Sequence, residues 1–301
     1  MKTLLLYTVL SLPLIGAYTL LGLGITVIYQ ASRVLNLAHG ALAMAAAYTT
    51  YWVGDNGAPL WISLSAGVGV GAALGVLVEG LLVRRLRATG PTAQTVGTVG
   101  VLLLAIAVVS RIFGTLPVRP PEVFPSGVLR LPGGFVPYRQ LGIFPVALVA
   151  AGALFALFRY SDIGLAMRGA AQNRRGAALR GVDPDATASL AWGMGGALAG
   201  LAGILLASAG SLDPYSVSLG VLPAFVAALI GGLESMPGVC IGAAIIGLVQ
   251  GLVPAAASLP AIGSILSGQG SPVLVLGVVA LVVMAMRGSR LSVGDVRGDL
   301  L

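Results

Sequence analysis

The sequence predicts an all-α protein, a polytopic integral membrane helix bundle with eight or nine transmembrane helices. Three observations carry that prediction. The chain is 57% hydrophobic and only 9% charged, against roughly 25% charged residues in a soluble domain, so it lacks the groups to solvate a globular exterior. Its apolar residues form long charge-free runs rather than alternating patterns. Its 44 glycines let helix backbones approach closely in lipid, where packing rather than the hydrophobic effect holds helices together.

A helix needs about 20 apolar residues to cross the hydrocarbon core. Runs without Asp, Glu, Lys or Arg cover residues 3–32, 34–54, 56–78, 88–110, 140–158, 186–212, 214–233 and 235–286. The last is too long for one helix. Pro254, Pro260 and Pro272, with nearby glycines, divide it near 238–257 and 271–286. Backbone polar groups in lipid must be satisfied locally, so each run is expected to be helical. Strands of a membrane barrel would alternate polar and apolar residues over about ten positions, which these runs do not. Lys2 and the apolar stretch behind it imitate a secretory signal. That stretch runs on to Tyr29 and the small-residue site near Ala17 is weak, so it reads as an uncleaved first helix. No linker divides the chain, and residues 1–301 form one domain.

Arginines orient the bundle. Arg84, Arg85 and Arg87 follow one run, and Arg159, Arg168, Arg174, Arg175 and Arg180 another; Arg287, Arg290 and Arg297 follow the last. Two runs separate the first two clusters, so they share a face, which the positive-inside rule makes cytoplasmic. The loop 115–139 then lies outside, with Arg119, Arg130 and Arg139 as exceptions. The beginning stays open. If 34–54 crosses fully there are nine spans; if it dips and returns there are eight. Lys2 favours eight and Arg33 nine.

The formal charge of +7 follows from this loop bias. No basic cluster is interleaved with aromatics, which argues against nucleic-acid binding. Cys240 is the single cysteine and sits in an apolar run, so neither an intramolecular disulfide nor a cysteine metal cluster is available. Lys2 is the single lysine, so no nucleotide-binding P-loop exists. With His39 the single histidine, no Ser/His/Asp set is credible. The runs hold no row of carboxylates of the kind that proton- or ion-coupled carriers use. Glu79 at a run end reads as an interfacial ion-pair partner of Arg84. Leu266-Ser-Gly-Gln-Gly270 resembles a scrambled ATPase signature and reads as a turn ahead of a helix begun by Pro272. The glycine pairs and triplet Gly67/Gly71/Gly75, Gly196/Gly200, Gly238/Gly242 and Gly247/Gly251, each spaced by four, read as packing seams.

Two stretches stand out. In Asn36-Leu-Ala-His-Gly40, an amide and an imidazole lie among apolar residues with no charge beside them. Either they make a helix–helix hydrogen bond or Asn36 caps a helix, or the helix breaks there and exposes polar groups to a translocation path. The inner loop 160–185 is alanine-rich and helix-prone, with Leu165, Met167 and Leu179 between arginines. It is either a solvated loop or a docking surface for a cytoplasmic partner. Asp183-Pro-Asp185 closes it with acidic groups suited to a helix N-terminus.

Together these blocks resemble the permease subunits of bacterial ABC importers for branched-chain amino acids. Asn36-Leu-Ala-His-Gly40 with Met44 and Ala47-Tyr48 is similar to that family's Asn-x-Ala-His-Gly block, with Ala46 where glycine is usual. Gly164-Leu-Ala-Met-Arg168 through Asn173, Ala178 and Gly181 resembles its cytoplasmic coupling segment. Ala199-Gly-Leu-Ala-Gly203, and Ala224-Phe225 through Gly231-Gly-Leu-Glu-Ser235 to Gly238, resemble its later helices. The likeness runs from about Tyr18 to Gly251. It implies a transport subunit of the bacterial cytoplasmic (inner) membrane without catalysis, cofactor or metal of its own. Its implied partners are a homologous second permease, two cytoplasmic ABC ATPases that bind ATP and Mg, and an extracytoplasmic substrate-binding protein. Gly164, Arg168, Asn173, Ala178 and Gly181 would belong to the ATPase coupling segment. Asn36, His39 and Gly40, with Tyr48 and Phe225, would line the substrate path. Urea, short amides or other amino acids are alternative cargoes for the same machinery, and a stand-alone secondary transporter is the alternative class.

Overall fold

The computed structural model describes residues 2–257, 268 and 270–287, and each apolar run within them yields helix. The helices are α1 (Lys2–Ser32), α2 (His39–Asp55), α3 (Leu60–Val78), α4 (Pro91–Phe113), α5 (Tyr138–Leu141), α6 (Ile143–Tyr160), α7 (Asp162–Gln172), α8 (Arg174–Leu179), α9 (Pro184–Ala209), α10 (Pro214–Leu219), α11 (Leu222–Gly231), α12 (Met236–Ala256) and α13 (Ser271–Arg287). A wide π-turn, Glu79–Val83, prolongs α3. Arg290, Arg297 and most of the Leu266–Gly270 turn lie outside the described residues.

Among the described residues, seven helical segments have the length and apolarity to cross a membrane. One of the seven, Pro214–Gly231, is α10 and α11 in series, broken at Gly220 and Val221. Gly220 alone marks that break among the residues of the apolar run 214–233. α2 and α13 have 17 residues each, the lower limit for a crossing. Prolines open several helices at their first turn, where a missing N–H is harmless: Pro91, Pro184, Pro214 and Pro237 all do so.

α1 is central and packs on α6, α9, α11 and α12. α9 is the most enclosed crossing, with 72% of its span buried, whereas α4 at 11% faces outward. The glycine seams explain how the backbones come so close. A Cβ on Gly71 would stand 2.6 Å from the Gly196 carbonyl oxygen, and one on Gly75 would overlap the Trp192 carbonyl, so α3 and α9 meet backbone to backbone. On α12, Gly238 and Gly242 meet the backbone of α11, while Gly247 and Gly251 meet Ile15 and Ser11 of α1. Cys240 is half-buried on α12, at the edge of the core rather than inside it as its apolar run implied.

The ends of the bundle resolve the open topology. Arg87 pairs with Asp185 at 2.7 Å, so the first two arginine clusters do share one end. Arg33 pairs with Glu234, and the Gln30 amide donates to the Glu234 carbonyl at 2.7 Å. The close of α1 therefore lies beside the α11–α12 turn. At the opposite end, Leu6 of α1 touches Gly134 and Gly54 of α2 faces Pro121 in the loop 115–137. Val118 and Leu212 exchange backbone hydrogen bonds there, at 2.9 and 3.0 Å. Residues 34–54 thus pass from the arginine-rich end to the other rather than dipping in and returning. The loop 115–137 also holds an antiparallel hairpin, β1 (Val128–Leu131) with β2 (Gly134–Pro137), that the apolar-run reading did not anticipate. Its turn is Pro132–Gly133, with Gly133 at φ +106° where a side chain would be strained.

Candidate functional site

The α1–α2 junction is a break in the membrane-embedded backbone. Helix α1 stops at Ser32, and Arg33 takes φ +58°, the left-handed region, alone among the described non-glycine residues. Residues 34–38 leave helical geometry before α2 starts at His39. The backbone there is satisfied by neighbours, as irregular segments in lipid must be. The Leu37 N–H donates to Thr98 Oγ1 of α4 at 3.0 Å, and the His39 N–H donates to the Asn36 carbonyl at 3.2 Å. Thr98 lies seven residues into α4, about 10 Å from that helix's start, so the break sits well inside the bundle.

The side chains at the break are not satisfied. Asn36 and His39 are buried, and neither amide atom of Asn36 nor either ring nitrogen of His39 has a hydrogen-bond partner. The Leu21 carbonyl lies near the imidazole, but without hydrogen-bonding geometry. Asn36 therefore does not cap α2, and the position before its first turn is Ala38 with no side-chain bond. The ring packs on Gly24, where a Cβ would stand 2.7 Å from Nε2. Gly40 is fixed by α10: any side chain there would overlap the Ser218 carbonyl. Each unsatisfied buried group costs about 1–3 kcal/mol.

Tyr48 lies nine residues along α2, about 13 Å further. It is buried, its ring centroid is 4.8 Å from that of Phe113, and its hydroxyl is unpartnered. Asn36, His39 and Gly40 thus come together, with Tyr48 on the same helix. Phe225 is half-buried on α11, which packs chiefly on α12 and α1, and it lies against the same buried cluster as Tyr48. Two further buried hydroxyls without partners, Thr26 on α1 and Ser110 on α4, were not singled out from sequence. Helical Ser and Thr normally bond back to a carbonyl four residues earlier, as Thr49 and Thr50 do. Nothing in the sequence marks the ones that do not.

The loop 160–185 folds as two short helices, α7 and α8, joined at Asn173. Ser161 caps α7, accepting from the Gly164 N–H at 3.1 Å. Gly164 is buried against the end of α6, where a Cβ would sit 2.5 Å from the Leu157 carbonyl oxygen. Asn173 Oδ1 caps α8, accepting from the Gly176 N–H at 2.7 Å. Gly181, at φ +81°, follows the end of α8 in the left-handed conformation usual beyond a helix terminus. Gly164, Asn173 and Gly181 therefore shape the segment. Arg168 and Ala178 are on its exposed side, along with Leu165 and Leu179, the last 84% exposed.

A polar network ties this segment to the bundle. Glu79, with no exposed surface, receives Arg84 at 2.8 Å, Arg87 at 3.3 Å and the Ser189 hydroxyl at 2.7 Å. Asp185 receives both Arg87 and Arg174. Asp183 caps α9 by accepting from the Asp185 and Ala186 N–H groups at 2.8 and 3.3 Å. A continuous chain of ion pairs thus runs from α8 through the start of α9 to the end of α3. The Glu79–Arg84 pair was expected; the bridge through Asp185 to Arg174 was not.

The sequence model of the family described as "Branched-chain amino acid transport system / permease component" matches residues 7–287. The chain belongs to that family. It is 28% identical to the high-affinity branched-chain amino acid transport system permease protein LivH of Escherichia coli, over 79% of this chain and 82% of that one. Its identity to the corresponding permease protein BraD of Pseudomonas aeruginosa is 26%, over 78% and 81%. A probable branched-chain amino acid transport permease protein of Methanocaldococcus jannaschii is 29% identical over 78% and 76%. No solved structure matches the chain. This permease-family chain is accordingly a multi-pass membrane protein, and its blocks of likeness lie on α1–α2, α7–α8, α9 and α11–α12.

Proposed function

We propose that the chain is the membrane-spanning permease subunit of an ABC importer in the cytoplasmic membrane, translocating branched-chain or related amino acids. The observation that carries this reading is the family match across residues 7–287. The buried, unbonded amide and imidazole at the α1–α2 break give it a chemical rationale. A zwitterion with an apolar side chain would be trapped by fixed charges, whereas weak polar groups on an apolar wall let it pass. Asn36, His39 and Gly40 form the centre of the path, with Tyr48 further along it and Phe225 as lining from α11. When the path opens, the unsatisfied atoms gain partners in substrate or water, which offsets the energy they lose in this closed arrangement.

The chain is a non-catalytic subunit in this reading and carries no cofactor. ATP and Mg belong to two cytoplasmic ATPases, an external binding protein delivers substrate, and a homologous second permease completes the membrane unit. The exposed side of α7 and α8, with Arg168, Ala178, Leu165 and Leu179, docks on the ATPases. Their closure pulls α8, and the Arg174–Asp185–Arg87–Glu79 chain carries that movement into α9 and α3, a two-state element biased by nucleotide. The test is Arg168→Glu in the reconstituted complex. ATP hydrolysis is expected to persist while uptake falls at least tenfold; wild-type uptake at wild-type protein level would refute the docking role.

A further inference from the structure

A cavity of about 180 Å³ lies between the end of α1, the end of α6, α7 and the α11–α12 turn. At roughly 30 Å³ per water it has room for about six waters, the scale of one small amino acid rather than a nucleotide. Its walls divide by chemistry. Val27, Phe158 and Met167 give an apolar side, while Arg33, Arg168 and Glu234 bring charges of both signs. Two guanidiniums face one carboxylate, so the cavity has a surplus positive charge. The Arg33–Glu234 pair is open to exchange, with side chains 49% and 65% exposed. Arg168 has no ion-pair partner among the described residues. Arg33 is also the residue held at φ +58°, and strained backbone of this kind gathers at ligand clamps.

We propose that this cavity binds the zwitterion of an α-amino acid with an apolar side chain, on the arginine-rich side of the bundle. The carboxylate meets Arg168, the ammonium meets Glu234, and the side chain rests on Phe158 and Met167. The site is distinct from the Asn36/His39 break, and it takes only the class of ligand from the import reading. An amino acid seated there wedges α7 away from α1, so imported product would resist the movement of the coupling segment.

The test is equilibrium binding of radiolabelled L-leucine to the full-length chain in detergent. Ala171→Leu fills the cavity from α7, and Glu234→Gln removes the ammonium partner. Each is expected to weaken leucine binding at least tenfold, with Gly69→Val, which faces open space, leaving it unchanged and L-valine displacing it. If Ala171→Leu lowers the melting temperature, Glu234→Gln alone carries the comparison. The proposal is overturned if wild type shows no saturable leucine binding, if both variants bind as wild type does, or if short-chain phosphatidylglycerol displaces leucine where valine does not. Because binding is read without transport, its loss leaves the import reading intact, and failed uptake with intact binding sinks that reading alone.

Discussion

Asn36 and His39 hold unbonded polar atoms in an interior where every other constraint favours satisfaction. Replacing such a group by an apolar one of similar size removes a desolvation penalty instead of a bond. Asn36→Leu is therefore expected to raise thermal stability, by about 1–3 kcal/mol, while lowering leucine uptake at least tenfold. Melting in detergent and uptake in vesicles check the two halves separately; a stability loss would mean that Asn36 has a structural partner after all. His39→Ala should likewise impair uptake with folding retained. Gly40→Val is the contrasting case, because its side chain would overlap the Ser218 carbonyl. It should reduce the yield of folded protein as well as transport. The sequence marked Asn36 and His39 because polar residues in an apolar run are conspicuous. It could not mark Thr26 or Ser110, whose satisfaction depends on which carbonyl or neighbour each hydroxyl reaches.

Helices were legible because hydrocarbon leaves an apolar run little else to be. Where they break was less so. The kink between α10 and α11 and the entry to α2 depend on what packs beside them, namely Ser218 against Gly40 and Thr98 against Leu37. The glycine seams could be read as seams, but their partners could not, since spacing by four names a face and not what meets it. Gly75→Val tests the α3–α9 seam: it should push α3 off α9 and lower the melting temperature, with Gly69→Val, which faces open space, as the neutral control. The polar chain from α8 to α3 makes a different prediction. Arg174 is 40% exposed, so its pair adds little stability on its own. Arg174→Ala should leave the melting temperature nearly unchanged and reduce uptake per ATP hydrolysed. Glu79→Gln, which strips the buried end of the network, should cost about 1–3 kcal/mol and uncouple as well.

At the scale of the molecule, the full pass of residues 34–54 puts the start of α1 and the inner loop 160–185 at opposite ends of the bundle. A cysteine at Thr3 in a Cys240→Ser background should react with an impermeant maleimide from outside intact cells, and one at Ala178 only after the membrane is opened. The charge pattern alone left this unresolved, since Lys2 and Arg33 pull in opposite directions; the Arg33–Glu234 pair and the contact of Gly54 with Pro121 decide it. Among the described residues the crossing helices carry no row of carboxylates, and in the import reading the exposed arginine and leucine side chains of α7 and α8 dock on the ATPases. The most direct measurement is radiolabelled leucine uptake into sealed proteoliposomes, with and without the ATPases, the second permease and the binding protein. Accumulation that requires ATP and all of these components is the expected result. Accumulation by this chain alone, driven by a proton or sodium gradient, would contradict the account.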